Sequence, residues 1–140
     1  MGKRFKRRDW QKMLARLAEA RVALEAARTQ PDMLDRVVWC VWTFSEYAIN
    51  VVLEVAEHGP ETHHDQAGRS EELRAGGMLK GDYTRALRQL EDYRRKASYL
   101  GYATCPSTHY NLSNVRSCLE SMEALKTEVE ALLKAEGKLS

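Results

Sequence analysis

The chain has 140 residues, of which 44% are hydrophobic and 30% charged; that is enough for one domain with its own core and excludes a disordered chain. Only 8 Gly and 3 Pro leave too few turn residues for a sandwich or barrel built of many hairpins. The formal net charge of +2 is too small to make the whole molecule a polyanion binder. It is unevenly placed, because Lys3, Arg4, Lys6, Arg7 and Arg8 face Asp9 alone within the first ten positions. This predicts a basic arm over 1–8 and a single, nearly neutral domain over 9–140.

Helical periodicity runs through almost the whole domain. From an N-cap at Asp9, the positions Trp10, Met13, Leu14, Leu17, Ala20, Leu24 and Ala27 recur at three- and four-residue steps, the spacing of one helix face. Gln30 and Pro31 end that helix. Pro31 also suits the start of a second helix, which runs to about Glu57 and is stopped by His58, Gly59 and Pro60. A polar segment follows, with a short extra helix over 70–75 ahead of Gly76 and Gly77. A third long helix begins near Asp82, carries Tyr83, Ala86, Leu87, Leu90, Tyr93 and Ala97 on one face, and ends near Gly101. Pro106 marks the loop over 103–111. The last helix, over 113–135, turns Val115, Leu119, Met122, Leu125, Val129 and Leu132 inward and closes at Gly137. Four long helices with short connections predict an all-α, antiparallel up-and-down four-helix bundle.

Two of these helices carry anomalies. The second is apolar around most of its circumference, which marks it as the central element or as part of an oligomer interface. Its remaining stripe holds Thr43, Glu46, Asn50, Glu54 and Glu57, with Trp39 set among them. A polar stripe usually faces water, but a tryptophan beside it is typical of an interface. On the third helix, Arg94 falls about 40° from Leu90, the centre of the apolar face. A guanidinium so placed needs a carboxylate or carbonyl partner, for which Glu46, Glu54 and Asp92 are candidates, or it must snorkel outward along its stem.

The run from Tyr93 through Arg94, Arg95, Lys96, Ala97, Ser98, Tyr99, Leu100 and Gly101 to Tyr102 resembles the signature region of HEPN domains. Arg94, Ala97 and Tyr99 match a bacterial version of that motif, with Arg95 and Ser98 in place of its Asn and Asp. Upstream, 44–48 is similar to the aromatic and small-residue segment of the family's second helix, and 61–63 with 81–83 to the connection that follows. The resemblance spans roughly 32–102. It implies a helical bundle that acts as a homodimer, binds RNA or a nucleotide, and in some members cleaves RNA without a metal. It further implies a bacterial toxin or defence component, with a nucleotidyltransferase antitoxin as partner.

On this reading Arg94 holds the phosphate, Tyr99 and Ser98 complete the catalytic set, Glu46 and Asn50 support it, and Arg95, Lys96, Arg7 and Arg8 contact the nucleic acid. Tyr99 stands where a histidine completes the nuclease motif, and a phenol with an ordinary pKa near 10 is a poor general base at neutral pH. That substitution weighs against cleavage. From a different class comes the second expectation, a non-catalytic scaffold that docks a partner through Trp39 and Trp42 on its second helix.

Other features point less far. His58, His63, His64 and Asp65 cluster in one loop, and Cys105 and His109 form a second group, but neither has a standard zinc spacing; no metal or cofactor is expected. Three cysteines without a paired spacing fit a reducing compartment, and Cys40 reads as a small buried hydrophobe. With no signal-like or membrane-spanning stretch, the expectation is a soluble, cytoplasmic protein with no membrane partner.

Overall fold

A computed structural model describes residues 5–56, 65–99 (the side chains of 97–99 excepted) and 110–139. The described residues form an all-α fold of five α-helices: α1 (Arg7–Ala27), α2 (Leu34–Ala56), α3 (Gln66–Ala75), α4 (Thr84–Tyr99) and α5 (Leu112–Ala135). Among them no helix is long and apolar enough to cross a membrane.

Local chemistry fixes most of the helix ends. Pro31 opens a single 3-10 turn, Pro31–Met33, that leads directly into α2, as a residue lacking an N–H can do at no cost. Asp65 caps α3 by accepting the Gly68 N–H at 2.6 Å, so this helix begins several residues earlier than its sparse apolar pattern predicts. Asn111 and Asn114 cap α5 reciprocally, each side chain bonding the other's N–H, at 2.8 and 3.2 Å. Two helices stop the same way. After α3 the Met78 N–H reaches the Leu73 carbonyl at 2.9 Å, and after α5 the Lys138 N–H reaches Leu133 at 2.8 Å. Both six-residue closures need a left-handed residue, supplied by Gly77 (φ 82°) and Gly137 (φ 72°).

The apolar circumference of α2 finds its explanation in packing, because this helix contacts α1, α3, α4 and α5. Val37, Val38, Cys40, Val41, Phe44, Ala48, Ile49, Val51 and Val52 are all completely buried. Each aliphatic or aromatic side chain so removed from water contributes about 1.5–3 kcal/mol. Around α2 the other helices present Met13 and Leu17 from α1, Leu87 and Leu90 from α4, and Met122, Leu125 and Val129 from α5.

Polar contacts tie the periphery. Glu128 of α5 accepts the backbone N–H groups of Lys80 and Gly81 at 2.7 and 2.9 Å and the Tyr83 hydroxyl, clasping the α3–α4 connection to α5. Tyr110 donates to Asp35, and its ring meets that of Tyr93 at 5.1 Å between centroids. These contacts place the start of α5 beside the end of α4 and the start of α2.

Candidate functional site

The polar stripe of α2 is not uniformly solvated. Trp39 at its start is 46% exposed, and the Thr43 hydroxyl folds back onto the Trp39 and Cys40 carbonyls at 3.0 and 3.1 Å. Glu46 and Asn50, one turn apart, are half-buried. Trp42 borders the stripe and is buried to 7% exposure, because α4 lays Arg94 over it. The Arg94 guanidinium carbon stands 5.0 Å from the Trp42 ring centroid, within cation–π range.

That stacking answers part of the cost of holding a guanidinium at the edge of a core. The rest is only partly answered. Among the described residues the one hydrogen bond of Arg94 runs from Nη2 to Glu91 Oε1 at 3.3 Å, and its Nε is buried without a partner. Glu46 lies in the same cluster. Burial pushes its carboxyl above the usual carboxylate range; the Arg94 and Arg69 charges and a hydrogen bond from Trp42 pull it down, while Glu91 pushes it up. The net direction is upward. The cluster therefore combines a pinned, permanently charged donor with spare hydrogen-bonding capacity and a carboxyl that takes up a proton more readily than an exposed one. Such a pair can hold a phosphate oxygen and a neighbouring hydroxyl.

The structure thus brings together two of the residues expected from sequence, Arg94 and Glu46, and adds Trp42, Glu91 and Arg69. Trp42 carried a usable signal, being one helical turn before Glu46. Glu91 and Arg69 did not, since a tertiary register decides which charges meet. The carboxylate bonded to Arg94 is Glu91 on its own helix. Of the three candidates named above, Asp92 instead pairs with Lys96 at 2.8 Å, and Glu54 lies elsewhere.

Glu54 is 3% exposed, with Oε2 buried and unpartnered. Burial, then a hydrogen bond with Asp9 and that residue's charge, push its carboxyl up to about 7, against the Lys6 backbone and charge. It marks the other end of α2, roughly 18 Å of helix axis from Trp42 at 1.5 Å per residue.

The expected nucleic-acid contacts separate accordingly. Arg95 is exposed and 3.9 Å from Glu91, and Lys96 is held by Asp92, so the basic run of α4 is largely matched by acids on the same helix. Arg7 and Arg8 belong to the first turn of α1 rather than to an arm. Arg7 Nη2 donates to the Lys138 carbonyl at 3.4 Å, at the Glu54 end of the molecule. Tyr99 ends α4, but its side chain and that of Ser98 lie outside the described residues, as do all four histidines (His58, His63, His64 and His109) and Cys105. Among the described residues no three His, Cys, Asp or Glu side chains converge as a metal site. Cys40 and Cys118 are buried free thiols, and burial pushes Cys118 up to about 11, which makes it a poor nucleophile.

No family model, curated protein or solved structure matches this chain.

Proposed function

We propose that this chain is a HEPN-like domain that binds RNA or a nucleotide through a phosphate seated on Arg94. The observation that carries the reading is the Arg94 guanidinium, stacked over Trp42 and bonded once among the described residues, at 3.3 Å. A planar, permanently charged fork with free donors is the group best suited to a phosphate. Glu46 faces it from α2, Asn50 follows one turn later on that helix, and α4 carries Ser98 and Tyr99 one turn beyond Arg94. In this reading the four long helices form an antiparallel up-and-down bundle with α3 as the short extra helix. Two copies pair as a homodimer, and the chain serves as a toxin or defence component beside a nucleotidyltransferase antitoxin. Binding is its primary activity. Cleavage would require Tyr99 to replace the missing histidine.

The test is fluorescence anisotropy of the purified protein with labelled single-stranded RNA and with a labelled nucleotide, chelator present, alongside a cleavage assay. Arg94→Ala is expected to weaken binding tenfold or more, about 1.4 kcal/mol, with helical content unchanged. Arg94→Lys should recover little, because one ammonium cannot replace the fork. RNA cleavage lost in both Arg94→Ala and Tyr99→Phe would add a nuclease activity. Failure of the wild type to bind either probe would remove the reading.

A second reading has its own observation. Trp39 on the polar stripe of α2 is 46% exposed, and tryptophan is enriched at interfaces. A non-catalytic scaffold docking a partner through α2 predicts an association lost in Trp39→Ala with no effect on nucleic acid. The buried Trp42 is no longer a docking residue in this reading.

A further inference from the structure

On the flank of α4 opposite the Arg94 cluster, a cleft of about 510 Å³ opens between α4 and α5. Its volume falls within the range of small-molecule sites. Asp82, Arg85 and Gln89 line it from the α4 side, and Ser113, Ser117 and Ser121 from α5. The serines recur every four residues and so form one row along the helix.

The wall of the cleft, where Ser113 and Ser117 are exposed and Ser121 is half-buried, keeps hydrogen-bonding capacity that the protein itself does not use. Every other helical serine or threonine whose side chain is described has a protein partner: Ser45 bonds the Trp42 carbonyl at 2.6 Å and Ser70 the Ala67 carbonyl at 2.8 Å, while Thr43, Thr84 and Thr127 are similarly engaged. The three cleft serines have none among the described residues, although folding back onto the preceding turn is open to any helical serine. Arg85 has no ion-pair or hydrogen-bond partner among the described residues either. Gln89 uses only its oxygen, and weakly, accepting from the Cys118 thiol at 3.9 Å.

The chemistry of the lining selects the occupant. One guanidinium and one carboxylate cancel, so the cleft carries no net charge to favour an ion. Asp82 stays ionised, its carboxyl held below the usual range by the Thr84 backbone and side chain, and its Oδ1 already accepts the Thr84 N–H at 3.0 Å; the other oxygen is left to accept. The remaining polar groups are chiefly the serine hydroxyls and the amides of Gln89 and Asn114, which donate and accept alike, the Asn114 oxygen already accepting the Asn111 N–H. Tyr93 reaches the cleft but is buried to 9% exposure with its ring against Tyr110, so there is no open aromatic face on which a nucleobase could stack. A ligand that is neutral and dense in groups that both donate and accept satisfies this wall.

We infer that the α4–α5 cleft is a binding site for a neutral polyhydroxylated molecule, a mono- or disaccharide, whose hydroxyls donate to Asp82, accept from Arg85 and exchange hydrogen bonds with Gln89 and the Ser113–Ser117–Ser121 row. The site stands apart from the phosphate reading of Arg94.

The experiment is a two-dimensional amide NMR titration of the full chain with ribose, glucose, maltose and sucrose at millimolar concentrations, with glucose 6-phosphate and adenosine as the charged and stacking probes. At least one neutral sugar is expected to shift amides along Arg85–Gln89 and Ser117–Ser121 saturably. Ser117→Leu, which fills the cleft from an exposed position, should abolish those shifts while circular dichroism is unchanged. Asp82→Asn and Arg85→Gln should each weaken the sugar several-fold. The inference is overturned if no sugar of the panel shifts these amides, if the shifts survive Ser117→Leu, or if only glucose 6-phosphate or adenosine produces them.

Discussion

Glu128 and Glu46 are both half-buried glutamates on helix flanks, yet they are treated in opposite ways. Burial pushes the Glu128 carboxyl up, but the Tyr83 hydroxyl and the N–H groups of Lys80 and Gly81 outweigh it, and the net direction is downward. Burial pushes the Glu46 carboxyl up too, but the Arg94 and Arg69 charges and one indole, set against Glu91, do not outweigh it, and the net direction is upward. The first carboxylate is saturated with donors and serves to fasten one segment to another. The second is undersupplied, and so is the arginine next to it, which is the condition under which a site keeps something to offer a ligand. Glu54 extends the contrast, being more buried and less satisfied than either.

The comparison is open to breakage in order of effect. Glu128→Ala leaves two backbone N–H groups and a buried phenol without their acceptor, and should cost about 2–3 kcal/mol in urea denaturation at neutral pH. Because the folded carboxyl titrates below its unfolded value, that stabilisation is present above about pH 4.3 and is lost as the pH falls further. Gly81→Ala attacks the same clasp differently. Its Cβ would lie 2.8 Å from Glu128 Oε2 and from the Tyr83 ring, so the clasp must shift, at about 1–2 kcal/mol.

Glu54 carries the opposite sign. Its folded carboxyl is raised to about 7, so its proton-linked stabilisation is complete below the unfolded value near 4.3 and is lost as pH rises toward about 7. Glu54→Gln should therefore be more stable than wild type by about 1 kcal/mol at pH 8, with the gain vanishing by pH 5. A gain that is equal at both pH values would show that protonation of Glu54 does not set its contribution to stability. Smallest is Arg94→Ala, expected to lower stability by about 0.5–1 kcal/mol through the lost stacking on Trp42. A loss as large as that at Glu128 would reclassify Arg94 as a structural fastening.

The helices were legible because their apolar positions repeat at helical spacing, and the saturation of α2 with Val, Ile and Phe left a central place or an oligomer interface, between which only its contacts with four other helices speak. Arg94 was legible as a residue in need of a partner from its angle to Leu90. Which partner it takes was not, since Glu46, Glu54 and Asp92 differ in tertiary register rather than in any local signal. The start of α3 was misplaced because Gln66, Ala67 and Gly68 have no apolar pattern, and the cap at Asp65 is a single side-chain bond. The Glu128 clasp spans 45 residues to Tyr83, and the serine row of α5 acquires its meaning only from what α4 places opposite. Neither leaves a mark within one helix.

The position of α2 also dictates how the molecule comes apart. The long helices α1, α4 and α5 each pack chiefly against this one element, so the shared core is lost once α2 leaves. Amide protons of Val41, Ala48 and Val52 should exchange with solvent only when the whole chain unfolds, at a rate that follows global stability. Those of the short α3, whose core contribution is chiefly Ala67 and Leu73, should exchange through a smaller and more frequent opening.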